Sequence, residues 1–468
     1  MEARVAEHLI EAELAAAVLA RALAHGGDFA EVFCERRSAL SLSIDESRIE
    51  GAQRADDGGA GVRVIDGETT YFAHVDGLGE ADLERAADGA AAALRGDRRA
   101  PSELRAADPT RGQEIETPPA GVASERKAEL LRACDERARA AGSKIAQVQA
   151  SYSEGRRRVT VANSDGCLAS DDRTRVRLGV QVVARRGERV ETGFETLGGH
   201  RGFELVGDGA AEAVAERAAG VALTLLGADP APAGSMPVVV GRGFGGVLFH
   251  EMTGHGLEAD AVQKGASVYA GKLGEEVAPS FLDAYDDGRL PGEWGSDGID
   301  DEGTPTRATA VIHEGRITSY LYDLERARRD RVDSTGNGRR QSFRHLPIPR
   351  MTNTFIAPGE ARPEELIAEV ANGFYAVSFA GGQVDPTTGD FVFGVSEGYL
   401  IENGTVTKPC RGATLIGNCL EALRRIDGVA EDFAVKTGFC GKEGQSVPVG
   451  VGQGHVRIAE LTVGGTAI

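Results

Sequence analysis

The stretch Phe244-Gly-Gly-Val-Leu-Phe-His250-Glu251-Met-Thr-Gly-His255-Gly-Leu-Glu258 brings two imidazoles and a carboxylate together in one short run. It follows a strand-like run, Pro237-Val-Val-Val240, and a glycine turn. Apolar Val247, Leu248 and Phe249 predict a buried helix leading into the motif. In the pattern H-E-x-x-H the histidines are four apart, about 400° of helix, and share a face. Here they are five apart, about 500°, so a regular helix would aim them roughly 140° away from a common face. If both are to meet one ion, the helix must bulge by one residue or stop before His255. Gly254 and Gly256 would allow either distortion. On this reading His250 and His255 are metal ligands and Glu251 is the acid/base. The competing reading is a glycine-ended helix with incidental histidines, in a chain that has nine.

A second stretch bears on the choice: Lys436-Thr-Gly-Phe-Cys440-Gly-Lys-Glu-Gly-Gln-Ser-Val-Pro-Val-Gly-Val-Gly-Gln-Gly454. Zinc accepts imidazole and thiolate together, and a catalytic site keeps one position open beside three protein ligands. Cys440 is therefore a candidate third ligand, although a lone cysteine is commonly a small buried hydrophobe. The loop from Asp333 to Thr354 is the other candidate region. Ser334, Gly336, Asn337 and Gly338 give a backbone that can approach a ligand closely. Arg339, Arg340, Arg344 and Arg350, with His345, offer donors suited to a peptide's carbonyls or carboxylate. The alternative is a basic surface loop paired with the acidic remainder of the chain.

The chain has 468 residues, enough for two or three domains, and its 41% hydrophobic content suits a soluble protein. A net charge of -20 lacks the basic footprint of a nucleic-acid binder. Basic runs such as Arg156-Arg157-Arg158 read as solvated faces. Asp297-Gly-Ile-Asp-Asp-Glu-Gly303 is acidic, but it lacks EF-hand spacing and reads as a solvated turn. The six cysteines (34, 134, 167, 410, 419 and 440) are scattered, with no C-x-x-C. That suits a reducing compartment. The N-terminus, Met1 to His8, is charged and helix-like rather than a signal peptide. No apolar run is long enough for a membrane helix. The expected location is the cytoplasm.

The patterning predicts an α+β chain of two domains. The first, residues 1–228, is a sandwich-like α/β region readable as two halves, 1–96 and 120–228, related by an internal duplication. Each half reads helix, antiparallel strands, helix. Helices are expected over 4–24, 80–94, 123–141 and 209–226. Strands are expected over 29–34, 39–44, 61–65, 69–74, 145–152, 158–163, 175–185 and 189–194. Residues 97–122, with Pro101, Pro109, Pro118 and Pro119, read as a linker. The second domain, 235–468, follows another Pro/Gly break. It reads as a mainly antiparallel β domain curved around the motif helix, with strands over 308–313, 316–322, 391–403 and 455–463. Cys410 and Cys419 have no assigned role.

Five motifs, taken together, resemble the TldD/PmbA family of metalloproteases. They are H-E-x-x-x-H with the following G-L-E, D-S-T-G-N-G-R-R from Asp333, P-R-M-T-N-T from Pro349, G-A-T-L-I-G from Gly412 and C-G-K-x-G-Q-x-V-P-V-G from Cys440. The resemblance covers most of residues 235–468 and is more diffuse before that. Both the histidine motif and the late cysteine are present, as in the TldD-type catalytic subunit. The resemblance implies zinc held by His250, His255 and Cys440, with Glu251 catalytic. It also implies hydrolysis of unfolded or extended peptides in partnership with a PmbA-type subunit; a homodimer is the alternative assembly. β-Strand addition is a physical route to such peptides. Two other classes stay open: a zinc amidase with a closed pocket, and a non-catalytic regulatory subunit.

Overall fold

The first half runs α1 (Ala12–Ala22), β1 (Phe29–Asp45), β2 (Arg48–Asp66), β3 (Thr69–Asp76) and α2 (Glu80–Ala91). The second runs α3 (Ser124–Ala140), β4 (Ile145–Asn163), β5 (Cys167–Arg186), β6 (Arg189–Gly199) and α4 (Ala210–Gly227). The computed structural model describes residues 6–106 and 115–465. In it, β1 pairs antiparallel with β2 on one side and with β4 on the other. The two halves therefore share one continuous sheet, in the order β3-β2-β1-β4-β5-β6. The pairs of short strands expected over 29–44 and over 145–163 are each a single strand. Polar Arg36-Arg37-Ser38 does not interrupt β1 because partners on both sides satisfy its backbone. Residues 4 and 5 of the expected first helix, and 107–114 of the expected linker, lie outside the described residues. The described flanks of that linker follow the sheet, with Arg105–Ala106 pairing along Cys167–Leu168.

Strand alternation sends one set of side chains to the helices and the other to the opposite face. Val18 and Leu19 of α1 and Leu83 of α2 pack on Val32, Val62 and Val64. Leu131 of α3 and Ala215 and Ala219 of α4 pack on Val148, Val180 and Val182. The opposite face carries Glu31, Glu35, Arg63, Arg157 and Arg173, and it meets the C-terminal part. Here the structure corrects two expectations. Asp297, Asp300, Asp301 and Glu302 are buried, not a solvated turn. Arg63 reaches Glu302 at 2.6 Å, Arg173 reaches Asp301 at 2.7 Å and Arg175 reaches Asp297 at 2.7 Å. The basic run 156–158 is not one solvated face either. Alternation turns Arg157 inward to Glu35 and Asp301, while Arg156 stays exposed beside Asp172.

The C-terminal part begins at β7 (Gly234–Val240). The preceding Pro/Gly break is tied in, since Asp229–Pro230 pairs with Cys410–Arg411. Two sheets follow. One contains β8 (Ala284–Asp287), β9 (Ala308–His313), β10 (Asn353–Ile356), β14 (Ala434–Lys442) and β15 (Gln445–Gln453), in the order β9-β8-β10-β15-β14. The other contains β7, β11 (Asn372–Val384), β12 (Asp390–Glu402), β13 (Thr414–Asn418) and β16 (Val456–Gly464). It closes on itself as β11-β7-β16-β13-β12-β11. The pairing is not purely antiparallel: β7 runs parallel to β11 and β10 runs parallel to β15. Residues 316–322, expected as a strand, are strand only at Arg316–Ile317. Val238, Phe374, Phe393 and Leu415 of the closed sheet share one core with Leu248, Phe249 and Met252 of the histidine motif. Burying those three motif side chains contributes about 1.5–3 kcal/mol each, enough to hold an irregular helix in place. No helix among the described residues is long and apolar enough to cross a membrane.

Candidate metal centre

The five-residue spacing is resolved by a wide turn. One helical turn at Val247–Phe249 opens into a π-turn at His250–Gly254 and tightens to a 3-10 turn at His255–Leu257. A π-turn bonds residue i to i+5, so it stacks residues five apart. The two imidazoles lie 5.2 Å apart, centroid to centroid, at 84°. Gly254 and Gly256 are required by packing rather than by unusual dihedrals. Gly254 has ordinary helical angles. A Cβ on it would lie 2.0 Å from Met351 Sδ, and one on Gly256 would lie 2.5 Å from the Tyr269 ring.

Cys440 joins the pair from β14. Its Sγ is 3.2 Å from His255 Nε2, and one ligand atom from each of His250, His255 and Cys440 falls within 4.8 Å of the others. At bond lengths of about 2.0–2.3 Å, two ligand atoms of a tetrahedral zinc sit about 3.3–3.7 Å apart. The donor set fits zinc, and the Cys440–His255 separation is close to the tetrahedral value. His250 Nδ1 is buried without a hydrogen-bond partner. Burial would raise the Cys440 thiol, but the imidazoles of His250 and His255 overcome it and hold the thiol well below its ordinary range. Glu251 stands at the mouth, with a side chain 26% exposed and a carboxylate 3.9 Å from His255 Nε2.

Two residues that the sequence reading left without a role complete the surroundings. Glu258, 1% exposed, accepts from His255 Nδ1 at 3.0 Å, which turns Nε2 toward Cys440. Burial alone would raise the Glu258 carboxyl, but Lys442 and His255 bring it down to about 2. Lys442 Nζ lies 3.0 Å from the same Glu258 oxygen. Both residues stood inside quoted motifs, G-L-E and C-G-K. Their partnership spans the chain, so no local pattern marks it.

The loop 333–350 lies underneath the site. Arg339, Arg340 and Arg350 are buried, and the hydrogen bonds they make go to groups inside the protein, with Arg340 Nε and Nη1 and Arg350 Nε left without a partner. Arg339 donates to the Met351 carbonyl, and Arg340 to Glu31 and the Asp301 carbonyl. Arg350 donates to the carbonyls of Cys440 and Gln445. Ser334 Oγ donates to the Tyr322 carbonyl, and Gly338 is packed so tightly that a Cβ would overlap the Glu302 carboxylate. Asn337 bonds Asp286, whose carboxylate also accepts from Thr352 and Thr354. Arg344 pairs with Asp57 and Asp76 on the N-terminal sheet, and His345 shares a hydrogen bond with Ser342. The run Pro349–Thr354 is thus a strut under the site. Arg350 holds the Cys440 strand, Met351 meets Gly254, and Thr352 and Thr354 grip Asp286.

Three family models cover the chain in order. They are the PmbA/TldA metallopeptidase domain 1 over residues 30–94, the central domain over 117–226 and the C-terminal domain over 233–465. A metalloprotease TldD homolog from Haemophilus influenzae is 42% identical over 94% of this chain and 93% of its own length. A zinc metalloprotease TldD homolog from Saccharolobus solfataricus is 32% identical over 62% of this chain and 64% of its own. The crystal structure of TldE from Thermococcus kodakarensis superposes with a TM-score of 0.75 at 21% identity, covering 93% of this chain and 97% of that one. At that identity the likeness concerns the fold. Matched along its length by these models and by a relative at 42% identity, the chain belongs to the PmbA/TldD metallopeptidase family.

Proposed function

We propose that this chain is a zinc-dependent peptidase acting on unfolded or extended peptides. The observation that carries the reading is the convergence of His250, His255 and Cys440 beside a half-buried Glu251. His250, His255 and Cys440 would hold the zinc. Bound there, zinc supplies Lewis acidity toward a peptide carbonyl and an attacking water. Glu251 takes the proton of that water and returns it to the leaving amine. A thiolate ligand donates more charge than an imidazole, so turnover is expected to be modest. Glu258 orients His255, and we assign the loop Ser334–Arg350 to holding the site rather than the substrate.

An open sheet edge supports the substrate class. β14 is the last strand of its sheet. Opposite Phe439 stands Pro448, which has no N–H, so that pair is not a hydrogen-bonded one. By alternation, the backbone groups of Phe439 and Gly441 point away from β15. Phe439 is 59% exposed. An extended peptide adding to this edge would lie next to Cys440. The partner remains the one the family resemblance suggests, a PmbA-type subunit in the cytoplasm.

The test measures metal and hydrolysis together. Purified wild type, Cys440→Ala and Glu251→Gln are assayed for zinc content and for cleavage of an unstructured peptide, with and without a PmbA-type subunit. About one zinc per chain in wild type and Glu251→Gln, its loss in Cys440→Ala, and cleavage by wild type alone are expected. A Glu251→Gln enzyme as active as wild type would end the mechanism.

A further inference from the structure

We infer that Lys442 is the positioning residue that seats Cys440 against the two histidines; this rests on the zinc-site reading above. Cys440 sits on an end strand, joined to the sheet only through β15. Its hairpin turns at Glu443–Gly444, both with positive φ, and the tight turn sets the register of the two strands. Nothing in the hairpin itself fixes its tip relative to the histidine segment. A metal ligand must be held within about 0.5 Å.

Lys442 supplies that link. It lies two residues from Cys440, so alternation puts both side chains on the same face. Its ammonium has three N–H donors and three acceptors: Glu258 Oε2 at 3.0 Å, Asp260 Oδ1 at 2.6 Å and the Pro349 carbonyl at 3.1 Å. Glu258 and Asp260 follow the histidine segment directly, and Pro349 begins the strut under it. The Glu258 oxygen that receives Lys442 also receives His255 Nδ1. One carboxylate oxygen therefore connects one candidate ligand directly to the neighbour of another. The tie is largely dry, with Lys442 15%, Asp260 5% and Glu258 1% exposed by side chain. In such surroundings, removing one partner strands a buried charge. Two other roles fit less well. A lysine binding substrate needs a free donor, and all three are engaged. Arg350 holds the Cys440 carbonyl but has no hydrogen bond to Glu258 or His255.

The experiment compares wild type, Lys442→Met, Cys440→Ala and the double variant. Lys442→Met keeps the apolar stem and removes the donors. Zinc affinity is measured by chelator competition, and thiolate ligation by the sulfur-to-metal charge-transfer absorption of the cobalt-loaded protein. Apo-protein melting reports folding separately. Lys442→Met is expected to fold, to bind zinc about 10–100-fold more weakly and to lose charge-transfer intensity. In the double variant the lysine change should add little to the loss caused by Cys440→Ala. Wild-type affinity and spectrum in Lys442→Met would overturn the inference, as would full additivity in the double variant. A merely structural lysine would lower the apo melting temperature and leave the cobalt band intact. If Lys442→Met does not fold, Lys442→Gln, which keeps an amide donor, takes its place with the same outcomes. Should Cys440→Ala alone bind zinc like wild type, the ligand set fails and this inference with it, a result distinct from failure of Lys442→Met alone.

Discussion

Glu251 and Glu258 are the same residue type one short segment apart, and burial gives them different work. Glu251 is half-buried, its carboxylate 3.9 Å from His255 Nε2, and in the proposed mechanism it handles the proton of the attacking water. Glu258 is enclosed and held ionised by Lys442 and His255. Glu251→Gln should therefore lower kcat by about 10²–10⁴ and leave zinc content unchanged. Glu258→Gln should weaken zinc binding first, and paired zinc titrations and peptide assays separate the two. His200 makes a different prediction. Burial lowers its imidazole to about 3, so the folded state prefers the neutral ring. Its folded pKa lies below the unfolded value near 6.5, so its contribution is complete above that pH and is lost as pH falls toward 3. Between pH 6 and 4, wild type should lose stability relative to His200→Gln by up to about 1.4 kcal/mol per pH unit. Denaturant melts at several pH values check this, and parallel curves would refute it.

At the scale of the element, the π-turn is the device that makes the motif work. It puts His250 and His255 together, and it depends on Gly254 lying flat against Met351. Gly→Ala inside a helix ordinarily stabilises by about 0.5–1 kcal/mol. Here the new Cβ would sit 2.0 Å from the Met351 sulfur, so overlap decides the sign. Gly254→Ala should destabilise by about 1–3 kcal/mol. Adding Met351→Ala should recover part of that loss, and urea unfolding of the single and double variants measures it. The spacing of the histidines was legible in the sequence as a demand for distortion, because it follows from helix geometry alone. The reason for the glycines was not, because Met351 comes from far along the chain and Tyr269 folds back onto the motif from the segment after it.

For the whole molecule, the decisive feature is the buried charge between the N-terminal sheet and the C-terminal part. Arg173 is 1% exposed and contacts Asp171, Asp297 and Asp301. Arg340, fully buried, donates to Glu31 on β1 while its loop neighbour Arg350 holds the Cys440 strand. The N-terminal sheet therefore braces the loop beneath the candidate metal site. Arg173→Met should destabilise the protein by about 3–5 kcal/mol, because it strands carboxylates in a dry interface. The two parts should still melt in one transition, since the same interface serves both; calorimetry showing two separated transitions in wild type would contradict this.

The sequence by itself determined what local rules govern. Hydrophobic periodicity located the helices and strands of the N-terminal half but left β8, β10, β11, β13, β14 and β15 unmarked, and the histidine spacing required a break in the helix. The net charge of -20 argued against a nucleic-acid role. Only the tertiary structure decided where charge is buried. Asp297, Asp301 and Glu302 look solvated in sequence, yet they are interior because Arg63, Arg157, Arg173 and Arg175 arrive from another part of the chain. The arginines of the 333–350 loop look like substrate donors, yet Arg339, Arg340 and Arg350 are buried and bond carbonyls and a carboxylate inside, while exposed Arg344 pairs with Asp57 and Asp76. Lys442 and Glu258 meet across a long stretch of chain. Solvation and ion pairing depend on what surrounds a group in space, and that is settled by packing rather than by neighbours in sequence.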